Sequence, residues 1–208
     1  MIYDIAFALN KGIVVALLTA MNSAVSNTAT PEKVRFNIAV PPEEVEFFEQ
    51  EITAFFGNPV FSWRVRSFTP PQFMQDYIRA KYEPMTPTRR MSRFMQYARL
   101  FFKDIFEDVS KVLYLDADVV VLGDVATLFK TVEFTPNRYF AAVPHFYPAI
   151  FQFGNPFKAI REMLAFQCSF NSGVLFTDFT YWDEATDEIL HHYLNWDAAC
   201  KYGMLNRG

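Results

Sequence analysis

The chain has 208 residues, 51% of them hydrophobic, which suits one domain with a sizeable core and shows no linker or tail that would divide it in two. A formal charge of -4 and an isoelectric point near 5.4 exclude a large basic surface, and with it nucleic acid as the main partner. No run approaches the roughly 20 apolar residues of a membrane-spanning helix, and the 24 phenylalanines point to a deep core rather than to an uncovered partner surface.

Ile2 to Leu9 has the length and apolar character of a buried parallel strand, and Asn10-Lys11-Gly12 supplies the turn that ends it. Because two apolar blocks flank that turn, the segment through Met21 reads as strand, turn and helix rather than as a signal peptide. Val14, Leu17, Leu18, Met21 and Val25 recur at helical spacing and predict a crossover helix. Val34 to Val40 is a second strand. Pro41-Pro42 with Glu43-Glu44 opens a helix with acids at its positive end, Val45, Phe48, Ile52 and Phe55 continue it, and Gly57 stops it. Val60 to Phe68 predicts a third strand, closed by Thr69-Pro70-Pro71. Lys81 to Arg90, with two prolines and little periodicity, reads as a surface excursion. Phe94, Tyr97, Ala98, Phe101, Phe102 and Ile105 describe a further helix, followed by the strand Val112 to Leu115. This alternation predicts an α/β fold: a single domain with a Rossmann-like, mostly parallel twisted sheet, helices on both faces, and ligands beyond the carboxyl ends of the strands. Cys168 and Cys200 are compatible with one disulfide or with two free thiols.

The strongest chemical signal is KVLYLDADVVVLGDVATLF (Lys111 to Phe129), where Asp116 and Asp118 leave a buried strand one residue apart. Two ionised carboxylates at a low-dielectric strand end repel each other unless a cation, a shared proton or hydrogen-bond donors neutralise them. A hard divalent ion is the simplest neutraliser, and Mg²⁺ or Mn²⁺ would also take phosphate oxygens. The alternative is a pair of solvated turn aspartates, one of them capping a helix. The motif is also similar to the first motif of haloacid-dehalogenase-type phosphatases, in which Asp116 would be nucleophile and Asp118 acid. That reading, the least favoured, expects the motif near the chain start and a later acidic pair at another strand end, and neither is plain in this sequence.

Four blocks together resemble glycosyltransferase family 8: DIAFALN (Asp4 to Asn10) with its helix and the SNTATPEKVRFNIAV return (Ser26 to Val40), YARL (Tyr97 to Leu100), KVLYLDADVVVLGDVATLF, and FNSGVLFTD (Phe170 to Asp178). The resemblance implies a GT-A-type fold over residues 1-208, a UDP-sugar donor, Mn²⁺ or Mg²⁺, a glycan or other hydroxyl acceptor, and transfer with retention of anomeric configuration. By position it implies Asp116 and Asp118 as the metal-binding pair, with Ala117 between them in the donor site. It brings Arg99 to the donor as the catalytic cation, Ala8, Leu9 and Asn10 to the uracil and ribose, and Asn171, Ser172 and Gly173 to the donor sugar. No residue is implied as a covalent nucleophile. Asn10 stands where many members have an acid, Ile13 where many have Tyr, and His145 where members often place Asp or Glu. The chain ends at Gly208 before any His-x-x-Gly-x-x-Lys-Pro block, which in the family supplies a metal-binding His and a phosphate-binding Lys, so the domain is expected to be incomplete at its C-terminal end. An inactive relic that serves as a binding module is the competing expectation. SNTATPEKVRF and the lack of an Asp-Gln pair after Trp182 lean toward plant galacturonosyltransferase-like members, which implies the Golgi or another secretory compartment.

Overall fold

A computed structural model describes residues 1–145, 169–183, 186 and 188. Its first strand, β1 (Tyr3–Ala8), is apolar except at Asp4 because the sheet is covered on both sides: Tyr3 through Phe7 are all buried. β2 (Val34–Val40) and β3 (Ser62–Ser67) lie parallel to it on one flank and β4 (Lys111–Leu115) on the other. β5 (Phe140–His145) and β6 (Ser169–Asp178) complete a six-stranded sheet of order β3-β2-β1-β4-β6-β5. β6 runs antiparallel to both its neighbours, so the sheet is mostly parallel with one reversed strand.

Alternate residues of the strands feed opposite cores. Ile5, Phe7, Phe36, Ile38, Leu113 and Leu115 pack with α1 (Val14–Ser26), α2 (Val45–Phe56) and α6 (Val125–Thr131) on one face. Ala6, Ala39, Val112 and Tyr114 meet Met95, Ala98, Phe102 and Phe106 on the other. The phenylalanines fill these layers, as with the T-shaped pairs Phe36–Phe61 and Phe129–Phe176 at 5.3 and 4.8 Å. Among the described residues no helix is long and apolar enough to cross a membrane.

The second face carries a polar network at the amino-terminal half of the strands, buried at Asp4 and Asn37 and reaching the surface at Asp108. Asp4 Oδ1 accepts from Arg35 Nε at 2.5 Å and from Asn37 Nδ2 at 2.9 Å, and Asn37 Oδ1 accepts from Arg64 Nε at 2.6 Å. Asp108 then bridges the two guanidinium groups, at 2.9 Å to Arg35 and 2.7 Å to Arg64. The arginines hold the Asp108 carboxyl below its ordinary pKa, Arg64 most strongly.

Several sequence expectations need correction. The residues 81–90 are not a surface excursion throughout: α3 (Gln72–Tyr82) runs into them and α4 (Pro87–Tyr97) begins within them, with Thr86 as N-cap accepting from the Arg89 amide and Pro87 in the first turn. The helix expected from Phe94 to Ile105 is broken into α4, a 3-10 turn (Ala98–Phe101) and the short α5 (Phe102–Ile105). Neither Asp116 nor Asp118 caps a helix: the cap in that segment is Asp124, whose carboxylate accepts from the Ala126 amide and the Thr28 hydroxyl. Gly57 ends α2 at φ 62°, a backbone conformation that favours glycine. Cys168 and Cys200 lie outside the described residues, as does the side chain of His145.

Candidate active site

β1 and β4 are neighbours that send their connections to opposite sides, so their carboxyl ends flank the switch point where an α/β sheet opens a crevice. A cleft of about 800 Å³ lies there. Ala8, Leu9 and Asn10 reach it from the end of β1, and Asp116, Ala117 and Asp118 from the end of β4. Arg99 comes from the 3-10 turn that interrupts the helix on the second face, and Ser172 from β6.

The side chains are held in different ways. Asn10 turns its Oδ1 back to cap Gly12 at 3.1 Å and donates from Nδ2 to Ser92 at 3.0 Å, tying the end of β1 to α4. Next to it the Lys11 amide donates to Glu44 at 2.6 Å, fixing the turn against the start of α2. Asp116 Oδ1 receives the Tyr114 hydroxyl at 2.5 Å and Arg99 Nη2 at 3.1 Å. Burial raises the pKa of the Tyr114 phenol far above its ordinary value, with Arg99 opposing and Asp116 adding to the rise, so the hydroxyl stays a proton donor to the carboxylate. Arg99 also donates from Nε to Gln96 O at 2.7 Å and from Nη1 to Ser172 O, and its guanidinium lies 4.4 Å from the Tyr114 ring centroid. Asp118 contrasts with its neighbour: it is exposed and carries no hydrogen bond or ion pair among the described residues.

Two residues expected at the donor sugar, Asn171 and Gly173, are not among those lining the cleft and instead set the backbone next to Asp116. Pairing of β5 with β6 jumps from Ala142↔Leu175 to Val143↔Asn171, leaving an eyelet around Ser172, Gly173 and Val174. Asn171 Oδ1 accepts the Gly173 amide at 2.7 Å, and the Gly173 carbonyl accepts the Asp116 amide at 2.8 Å. A Cβ on Gly173 would stand 2.9 Å from Asp116 Oδ2 and 3.0 Å from Asn171 Oδ1, so the carboxylate can lie where it does because that residue has no side chain. Sequence reading missed Tyr114, although strand alternation puts it on the same side as Asp116, and it missed the α3–α4 wall of Tyr82, Arg93, Gln96 and Tyr97.

Comparison with known proteins gives the family and the fold. The family model described as glycosyl transferase family 8 matches residues 4–206. Among curated proteins the chain is 26% identical over 175 residues to the probable galacturonosyltransferase-like 6 of Arabidopsis thaliana, covering 79% of this chain and 47% of that one. The chain thus spans about half the length of the curated relatives it matches. Among solved structures, galactosyltransferase LgtC in complex with donor and acceptor sugar analogs aligns at a TM-score of 0.64 and 22% identity, over 97% of this chain and 70% of that one. Core-mannan synthase A from Aspergillus fumigatus, in an Mn/GDP form, aligns at 0.55 and 11% identity over 99% of this chain and 66% of that one. At such identities the likeness is one of fold.

Proposed function

Because the chain belongs to glycosyltransferase family 8, we propose that it is the donor-binding part of a retaining transferase that moves a hexosyl or uronosyl group from a UDP-sugar to a hydroxyl of a glycan or other acceptor. The observation that carries this reading is that the Asp116–Asp118 pair and Arg99, from two separate segments, line one cleft at the carboxyl ends of β1 and β4. The GT-A-type α/β fold sets that position. The Golgi or another secretory compartment is proposed as its setting from the resemblance to plant members.

The residues present suit a divalent ion. Asp116 and Asp118 offer hard oxygens, and no cluster of three His, Cys, Asp or Glu residues surrounds them among the described residues. Mg²⁺ and Mn²⁺ are bound through one or two carboxylates, with water and substrate phosphates filling the remaining positions. Asp116 and Asp118 would hold it, and when bound it would offset charge on the donor's diphosphate. The chain's own residues do the rest. Tyr114 and Arg99 fix the Asp116 carboxylate before any ligand arrives, so little reorganisation is left for binding. Arg99, anchored through Gln96 and Ser172, keeps guanidinium donors for the oxygens on which negative charge grows as the bond from sugar to diphosphate breaks. Ala8 and Leu9 give the nucleoside end an apolar floor, and Asn10 gives it a polar rim.

Calorimetric titration of UDP, with Mn²⁺ and again with EDTA, tests the proposal. Binding that requires the metal is expected; a folded chain that takes up no UDP under either condition overturns it. A smaller expected effect concerns the eyelet. Gly173→Ala should push the Asp116 carboxylate aside and weaken metal-dependent UDP binding about tenfold, or about 1.4 kcal/mol. Thermal unfolding should leave its midpoint within a few degrees of wild type.

A further inference from the structure

The cleft holds a second cation that the diphosphate reading does not use. Arg93 lines it from α4, between Gln96 on the same helix and Tyr82 at the end of α3. Its guanidinium lies 4.8 Å from the Tyr82 ring centroid, and Nη1 donates to Gln96 Oε1 at 2.8 Å. The Tyr82 hydroxyl is itself hydrogen-bonded to the Tyr97 hydroxyl at 3.1 Å, so the ring under the guanidinium is fixed to another cleft wall residue. Other arginines nearby are neutralised: Arg99 by Asp116, Arg90 by Glu83. No carboxylate among the described residues pairs with Arg93. The acids lining the cleft are Asp116 and Asp118, one already bonded to Arg99 and both assigned to the metal.

An arginine whose plane is set by stacking and by one neutral acceptor keeps most of its donor fork for a ligand, and that fork matches a planar oxyanion in bidentate fashion. In a half-enclosed cleft such a charge meets less solvent screening than on an open surface. We infer that Arg93, held by Tyr82 and Gln96, is a selectivity subsite for the carboxylate of an acidic sugar, apart from the diphosphate centre. The inference rests on the UDP-sugar reading above. The carboxylate can belong to the transferred sugar or to an acidic acceptor glycan, since both present the same group to the same guanidinium.

The experiment measures binding to wild type, Arg93→Gln and Arg93→Lys in two arms with Mn²⁺ present. One arm compares UDP-galacturonate with UDP-galactose, and the other compares oligogalacturonide with a neutral galactan oligosaccharide. Wild type should favour the acid at least about tenfold in one arm, which identifies where the carboxylate lies. Arg93→Gln should abolish that preference and leave affinity for UDP itself within about twofold. Arg93→Lys, which keeps the charge and loses the fork, should fall between them. Position 93 is partly exposed on a helix, and Gln and Lys are both good helix formers, so the variants are expected to fold. UDP binding with no acid preference in either arm overturns this subsite alone, as does a preference that survives in Arg93→Gln or a matching loss of UDP affinity that assigns Arg93 to phosphate. Failure of wild type to bind UDP overturns the underlying reading instead.

Discussion

Asp118→Ala is expected to abolish metal-dependent UDP binding without changing the stability of the fold, whereas Asp116→Ala is expected to cost both. The two carboxylates stand one residue apart and would hold the same ion, yet their surroundings differ. Asp118 is exposed and bonded to nothing else among the described residues, so its removal leaves no orphaned group behind. Asp116 receives the Tyr114 hydroxyl and the Arg99 guanidinium. Deleting it takes the acceptor from the buried Tyr114 hydroxyl and the counter-charge from Arg99, whose side chain is only 10% exposed and which keeps Gln96 O and Ser172 O. Leaving the phenol unpaired costs about 1–3 kcal/mol. Calorimetry with UDP and Mn²⁺ and urea unfolding, run on both variants, separate the effects. Wild-type UDP affinity in Asp118→Ala would remove the aspartate pair from the binding site, and equal stability of the two variants would contradict the contact geometry around Asp116.

Asp4→Ala should be the more damaging change to the fold itself, lowering unfolding free energy by about 2 kcal/mol, since it removes the shared acceptor of two hydrogen bonds. Asp4 is 6% exposed and accepts from both Arg35 and Asn37, the latter fully buried. Alanine supplies no acceptor, and the network beyond, through Arg64 and Asp108, loses the anion that anchors it on β1. Urea unfolding of Asp4→Ala, Arg35→Ala and the double variant gives the coupling directly: the double variant should be clearly less destabilised than the sum of the singles. Strict additivity, or a loss below about 1 kcal/mol, would show the contacts to be incidental.

Much of the architecture was legible where apolar pattern and turn chemistry agree. Val34 to Val40 matches β2 residue for residue, and Gly57 stops α2 where its positive φ is needed. α3 escaped notice because only Met74, Tyr77 and Ile78 of its 11 residues are buried, a short stripe in an otherwise polar segment. The prolines around residues 81–90 read as breakers, while Thr86-Pro87 is a helix start, and the same residues serve both uses. The direction of β6 could not be read at all, since apolar alternation is the same in a parallel and an antiparallel strand. The aspartate pair and Arg99 were legible as a motif. Tyr114 was within reach of strand alternation, two residues before Asp116, whereas Arg93 and Tyr82 were not legible because their contact joins two separate helices, α3 and α4.

The eyelet in β6 has a consequence for how this scaffold can vary. Ser172 and Gly173 stand outside the register of both neighbouring strands, so exchanging them leaves ladder pairing intact and alters only what lies against Asp116 and Arg99. Substitution at position 172 can therefore change what faces Arg99 without shifting the five residue pairs that hold β6 to β4.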